Sequence, residues 1–171
     1  MTLDEITRSA INPVLQLLPP AMDSHEARVM LLAIGLQESR FAHRRQIVGD
    51  KPVGPAKSFW QGERGGGMVR GVRTHAATQQ HAHVLYRLRG VQPLDTAIWN
   101  AIEHDDVLAA GLARLLLWSD PFRLPGLGNA AGAWELYTRT WRPGKPHPAT
   151  WPRFYMQALE YVLAASRGKD L

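Results

Sequence analysis

The sequence predicts a mainly α-helical protein with a single domain, residues 1–171, on three observations. Apolar residues recur at the spacing of amphipathic helices, strand-like alternation is weak, and proline and glycine separate the periodic stretches. A length of 171 residues fits one domain, since domains typically contain about 100–200 residues. The chain shows no internal repeat and no linker-like stretch that would divide it.

Two helices are predicted before residue 40. The first covers residues 3–18 and ends before Pro19, because proline disfavours the α conformation in the residue that precedes it. The second covers residues 23–39 and begins at Asp23, which has the spacing of a capping box with Glu26. Its apolar residues follow at helical spacing: Val29, Leu32, Ala33 and Leu36.

Residues 43–67 are polar and rich in glycine and proline, which predicts an irregular loop region or a small hairpin. A loop of this length in a compact domain is usually functional. Asp105 and Thr150 suit the starts of two later helices. The helices predicted after the loop cover residues 69–88, 94–104, 105–118, 130–140 and 150–166.

Glu38 is the candidate catalytic residue, since it lies on an apolar side of the second helix, near Ile34. Partial burial and the negative end of the helix dipole both raise the pKa of a carboxyl group. A carboxyl that keeps its proton near neutral pH can act as a general acid. The structural alternative is that Glu38 pairs with an arginine (Arg40, Arg44 or Arg45) or marks an exposed helix end.

The segment from Ile34 to Phe41, Ile-Gly-Leu-Gln-Glu-Ser-Arg-Phe, resembles the first motif of the lysozyme-like lytic transglycosylases. In that family a helix ends in a catalytic glutamate followed by serine. Residues 58–61, Ser-Phe-Trp-Gln, resemble the second motif, a turn led by glycine and ending in glutamine; here serine replaces the glycine. Residues 129–137 resemble a permuted form of the third motif, and residues 106–118 the long helix behind the cleft.

The resemblance, which covers residues 23–137, implies a lysozyme-like fold with the loop region beside the catalytic helix. It also implies a peptidoglycan lytic transglycosylase that cleaves the glycan strand between N-acetylmuramic acid and N-acetylglucosamine, with Glu38 as general acid and base. Substrate-binding residues are then expected at Ser39, Phe59, Trp60, Gln61 and Tyr137. For the aromatic residues, burial in the core is the open alternative.

A lysozyme-type hydrolase would need a second carboxylate, and Asp50 and Glu63 are the acidic residues of the loop region. A lytic transglycosylase, by the resemblance, uses one glutamate and the substrate's own 6-hydroxyl. We therefore favour transglycosylation and keep hydrolysis open.

No metal site and no cofactor are expected. The chain has 7 histidines and no cysteine, but His81 and His83 would lie on different sides of a helix, and no zinc-binding motif is present. No apolar stretch approaches the roughly 20 residues that span a bilayer, so we expect no membrane insertion.

The formal net charge of +5 indicates an anionic partner. Bacterial peptidoglycan is the expected one, together with phage virion components, because the chain also resembles small phage-encoded muralytic proteins. The first residues lack the pattern of a signal peptide. We expect the protein to act on the cell wall in the periplasm after another form of delivery, from the host cytoplasm or the virion.

The alternative function is a non-catalytic basic protein of the virion that contacts nucleic acid or cell wall. The basic and aromatic residues of segment 139–155 suit such contacts, or else the packing of a helix end.

Overall fold

The computed structural model describes residues 1–168, which are mainly helical. The N-terminal segment, predicted as one helix, consists of α1 (Leu3–Ile6), a π-helical turn (Thr7–Ile11) and α2 (Asn12–Leu17). The π turn precedes Pro13, which has no N–H and whose ring displaces the carbonyl one turn earlier. The segment ends at Leu17, before the two prolines, as predicted.

Helix α3 (His25–Ser39) ends where the sequence predicted, but its cap differs from the prediction. The N-cap is Ser24, whose hydroxyl accepts from the Ala27 amide at 3.1 Å. Asp23 is not the cap, because its carboxylate accepts two hydrogen bonds from Arg28, at 2.7 and 2.8 Å. The helix stops at Arg40, whose backbone is left-handed with φ 54°.

The predicted loop region is irregular, with isolated bridges as the only β pairing among residues 1–168. Lys57 and Gly62 exchange two backbone hydrogen bonds, of 3.0 and 2.7 Å, and so close a tight turn. The Ser58 amide donates to the Arg44 carbonyl at 2.7 Å, which holds this turn near the end of α3.

Beyond the loop the chain is helical again, after a π-helical turn at Gly67–Gly71. The predicted helix over residues 69–88 is interrupted at residues 75–78. At this break the Thr78 side-chain hydroxyl donates a hydrogen bond of 2.7 Å to the Val72 carbonyl. The two pieces of the predicted helix are α4 (Val72–Thr74) and α5 (Gln79–Leu88). The later helices lie close to their predicted positions and are α6 (Asp95–Ala101), α7 (Asp106–Trp118), α8 (Ala130–Trp141) and α9 (Trp151–Arg167).

Helix α7 forms the centre of the core, where every residue from Leu108 to Leu117 is buried. Helix α3 packs along α9 and also contacts α7. Gly111 allows α7 to approach its neighbours closely, since a Cβ there would lie 2.6 Å from the Leu85 side chain and 2.7 Å from that of Val14. In the described part of the chain, no helix has the length and apolar character needed to cross a bilayer.

Candidate active site

Glu38 lies in the last turn of α3 and is partly buried. The Tyr137 hydroxyl, on α8, donates a hydrogen bond of 2.7 Å to Glu38 Oε1. Tyr137 itself is 3% exposed. The carboxyl therefore lies where two helices meet, and among residues 1–168 the Tyr137 hydroxyl is the one side-chain donor to its oxygens.

The pKa of Glu38 is raised from 4.5 to about 7. Burial is the main cause, because it penalises the charged form. The Tyr137 hydrogen bond lowers the pKa, since it favours the carboxylate, and the negative charge of Glu63 raises it. Near neutral pH both the protonated and the ionised form are present, which suits a group that must first donate and then accept a proton.

The arginines that could have neutralised Glu38 are occupied elsewhere. Arg44 binds Asp106 through two hydrogen bonds of 3.0 and 2.6 Å, and Arg45 donates to a loop carbonyl at 3.1 Å. Arg40 lies over an aromatic ring of α9, 6.0 Å from its centroid. Across residues 1–168, no lysine or arginine forms an ion pair with Glu38. The alternative in which an arginine pairs with Glu38 is therefore wrong.

The turn at residues 58–61 adopts a conformation that favours glycine at its first position. Ser58 has φ 68° and Gln61 has φ 52°, both in the left-handed region. The buried Ser58 hydroxyl accepts from the Trp60 amide at 3.2 Å, and the Gln61 side chain donates to the Ser58 carbonyl at 2.7 Å. These local hydrogen bonds hold the strained turn and direct Gln61 to the groove described below.

Phe59 and Trp60 lie in the core and do not offer surface to a ligand. They are 1% and 0% exposed, so the expectation that their rings contact substrate is corrected in favour of the core alternative. The Trp60 indole N–H donates to the Leu31 carbonyl at 2.8 Å. The Ser39 hydroxyl donates to the Phe59 carbonyl at 2.8 Å. Ser39 and the two aromatic residues thus fix the turn against α3.

An aromatic cluster holds Tyr137 in place. Its ring stacks on that of Trp151 with centroids 5.2 Å apart and an interplanar angle of 11°. Trp134 lies on another side of it at 5.4 Å. Trp141, one turn further along α8, donates its indole N–H to the Trp60 carbonyl at 2.9 Å. Packing therefore positions the Tyr137 phenol, and the Trp141 hydrogen bond links α8 to the 58–61 turn.

A groove of about 660 Å³ opens in front of Glu38. Gln37 holds one wall of it, because its side chain donates to the His147 carbonyl at 3.1 Å and accepts from the Thr150 hydroxyl at 3.0 Å. Arg142 and Lys145 contribute positive charge to this wall. The lining also includes Gln46, Gln61, Gly62, Glu63, Gly66, Gly67, Met68, Tyr137 and Trp141.

The two candidates for a second carboxylate differ in position. Glu63 is exposed and lines the groove. Asp50 is exposed in a turn of the loop region and does not line the groove, so its assignment as a local partner of Glu38 is corrected. Glu63 is thus the group that a hydrolytic mechanism would have to use.

Sequence reasoning did not connect Gln37, Trp141 and Trp151 with the surroundings of Glu38. Gln37 and Trp141 line the groove, and Trp151 stacks on Tyr137. The helical spacing of Trp134, Tyr137 and Trp141 puts their side chains on one face of α8, and that signal could have identified the cluster. Gln37 gave no such signal, since its partners lie 110 and 113 residues away.

Comparisons with known proteins yield no relatives: no family model, no curated protein and no solved structure matches this chain. Nor does any group of three or more histidine or acidic side chains within residues 1–168 have the arrangement of a metal site.

Proposed function

We propose that this protein is a peptidoglycan lytic transglycosylase that cleaves the glycan strand between N-acetylmuramic acid and N-acetylglucosamine, with Glu38 as its general acid and base. One observation carries the proposal: a carboxyl group with a pKa of about 7 and no cationic partner in the described chain lines a groove of about 660 Å³. Structural ion pairs lower the pKa of a carboxyl, whereas general acids require the opposite.

The first step uses the protonated form of Glu38. Its proton passes to the glycosidic oxygen as the bond to C1 of the muramic acid breaks, which leaves the carboxylate. The Tyr137 hydroxyl, 2.7 Å from Oε1, stabilises this carboxylate and holds its orientation. The carboxylate then accepts the proton of the substrate's 6-hydroxyl, whose oxygen bonds to C1 and closes a 1,6-anhydro ring. Glu38 is protonated again at the end of the cycle.

Hydrolysis is the second chemical outcome of the same site. It would require Glu63 to activate a water molecule or to act as a nucleophile. Glu63 is exposed, whereas the buried side of the groove next to Glu38 is formed by the neutral side chain of Tyr137. We therefore propose that Glu38 is the only catalytic carboxyl group and that Glu63 acts through its negative charge, which raises the pKa of Glu38.

Clearing of purified cell walls by the full chain tests the assignment of Glu38. Loss of general acid catalysis typically lowers a rate by about 10²–10⁴-fold, so Glu38→Gln should clear walls at least about 100-fold more slowly while it keeps the wild-type circular dichroism spectrum. Glu63→Gln is the matched control, because it removes the other carboxylate of the groove and should leave the clearing rate within a few-fold. Equal clearing by the wild type and Glu38→Gln would refute the assignment.

Mass spectrometry of the released fragments distinguishes the two reactions. Transglycosylation yields 1,6-anhydro ends, whereas hydrolysis yields reducing ends. If reducing ends dominate and Glu63→Gln is inactive, the hydrolytic alternative is correct. If the wild type does not clear walls at all and binds DNA with an affinity that falls steeply with salt, the basic virion protein is the better account.

A further inference from the structure

Arg114 is a buried cation in the last turns of α7, and the proposed function does not use it. The residue is 2% exposed. Its Nε donates to the Met22 carbonyl at 2.7 Å, which satisfies the end of the short helical turn Pro20–Met22. Its guanidinium carbon lies 5.2 Å from the centroid of the Trp118 ring, within the range of a cation–π contact.

These contacts leave Arg114 without a direct ion pair in the described part of the chain: the negative charge of Asp23 acts on it only from a longer distance, and Asp23 is itself bound by Arg28. No carboxylate within residues 1–168 forms an ion pair with Arg114, and its Nη1 is buried without a hydrogen-bond partner. Burial lowers the pKa of Arg114 to about 10, so the group remains charged at neutral pH. Burial of an unpaired charge lowers the free energy of unfolding. An apolar side chain of similar volume would fill the same space without this desolvation penalty.

Arg114 lines a pocket of about 420 Å³ between the start of α3, the end of α7 and the loop that follows α7. The pocket also has apolar walls, since Trp118 is 38% exposed and Phe122 is 68% exposed. Arg139 lies over the Phe122 ring, 5.3 Å from its centroid, and restricts it from one side. The pocket thus combines a cation at its base with flat apolar rings at its rim.

The acidic side chains of the pocket indicate which anions it can accept. Asp120 is not free, because it accepts two hydrogen bonds from Arg139, at 2.7 and 3.1 Å. Glu26, in the first turn of α3, also lines the pocket, and Arg123, in the loop after α7, adds a positive charge to the lining. The negative charge of Glu26 disfavours a dianion such as phosphate more than it disfavours a single carboxylate.

We infer that this pocket binds a small monocarboxylate with a flat apolar body, whose carboxylate pairs with Arg114 and whose body packs against Trp118 and Phe122. The ligand supplies the direct ion pair that Arg114 lacks among residues 1–168, and charge-assisted hydrogen bonds to a guanidinium are among the strongest in proteins. The site is separate from the Glu38 groove. Glu26 and Glu38 lie twelve residues apart on α3, which corresponds to about 18 Å at 1.5 Å per residue.

Binding of benzoate to the full chain tests this inference, with neutral benzamide as a probe of the same shape. Amide resonances followed by two-dimensional NMR should shift with benzoate for residues 117–126, and benzoate should bind about 10-fold more tightly than benzamide. Inorganic phosphate should produce smaller shifts at the same concentration. Equal affinities for benzoate and benzamide, or no shifts with either, would overturn the inference and leave Arg114 as a cap for the Met22 carbonyl.

Two variants locate the binding. Arg114→Met removes the charge while it keeps an apolar chain of similar length, and it should abolish the preference for benzoate. The thermal midpoint should fall, because the variant also loses the hydrogen bond to the Met22 carbonyl. Phe122→Ala should weaken benzoate binding by several-fold, whereas Leu127→Ala, an exposed apolar residue of the same loop that does not line the pocket, should not. If Arg114→Met does not fold, the contrast between Phe122→Ala and Leu127→Ala decides; equal benzoate affinities in these two would contradict the inference.

Discussion

The raised pKa of Glu38 makes the stability of this protein depend on pH, and Glu38→Gln isolates that dependence. In the folded state the pKa is about 7, whereas 4.5 is the ordinary value for the unfolded chain. Between these values the folded protein keeps a proton that the unfolded chain has released, so stability falls as pH rises. The stability that protonated Glu38 contributes is fully present below about pH 4.5 and is lost as the pH rises through about 7.

The size of the effect follows from the two pKa values. Each pKa unit corresponds to about 1.4 kcal/mol, so the interval from 4.5 to about 7 corresponds to about 3 kcal/mol. Glutamine at this position does not titrate and still accepts the hydrogen bond from Tyr137. The free energy of unfolding of the wild type should therefore fall by about 3 kcal/mol relative to that of Glu38→Gln between pH 4 and pH 8.

Urea unfolding followed by circular dichroism measures both proteins across this range. Similar slopes of free energy against urea concentration would show that the two unfold comparably at each pH. If the difference between the two proteins stays constant from pH 4 to pH 8, Glu38 titrates alike in the folded and unfolded states. That result would refute the argument from burial.

Three further predictions concern the surroundings of Glu38. Tyr137→Phe removes the hydrogen bond that lowers the pKa of Glu38, so the alkaline limb of the pH–activity profile should move to higher pH; a limb that stays in place would contradict this. Glu63→Gln removes a negative charge that raises the same pKa, so the limb should move to lower pH, and a shift in the other direction would contradict it. Gly35→Ala should destabilise the fold by about 1–3 kcal/mol in urea unfolding, because the added Cβ would lie 2.1 Å from the Phe41 ring; an unchanged midpoint would show that the ring has room to move.

The sequence predicted most of the helical structure, because periodic apolar residues and local stop signals determine helices over short distances. Helix α7 began after Asp105 and α3 ended at Ser39, as predicted. One error occurred where two neighbouring residues compete for the same role. Asp23 and Ser24 are both good N-caps, and the pairing of Asp23 with Arg28 settled which of them caps α3.

The candidate site was less predictable, because burial and long-range contacts are not visible in local spacing. The motif resemblance implied that Tyr137 binds substrate, whereas its hydrogen bond of 2.7 Å to Glu38 became visible only in the fold. Phe59 and Trp60 were ambiguous in the sequence, since large aromatic side chains occur both in cores and at sugar-binding surfaces. The Phe59 and Trp60 carbonyls and the Trp60 indole form hydrogen bonds with α3 and α8, and only the fold reveals these contacts.

Titration of the Glu38 carboxyl carbon by ¹³C NMR tests the central claim most directly. Comparison of spectra of the wild type and Glu38→Gln assigns the resonance. The account predicts a midpoint near pH 7 in the folded protein. A midpoint near pH 4.5 would mean that the carboxyl is ionised and solvated at neutral pH, and it would contradict the role of Glu38 as a general acid.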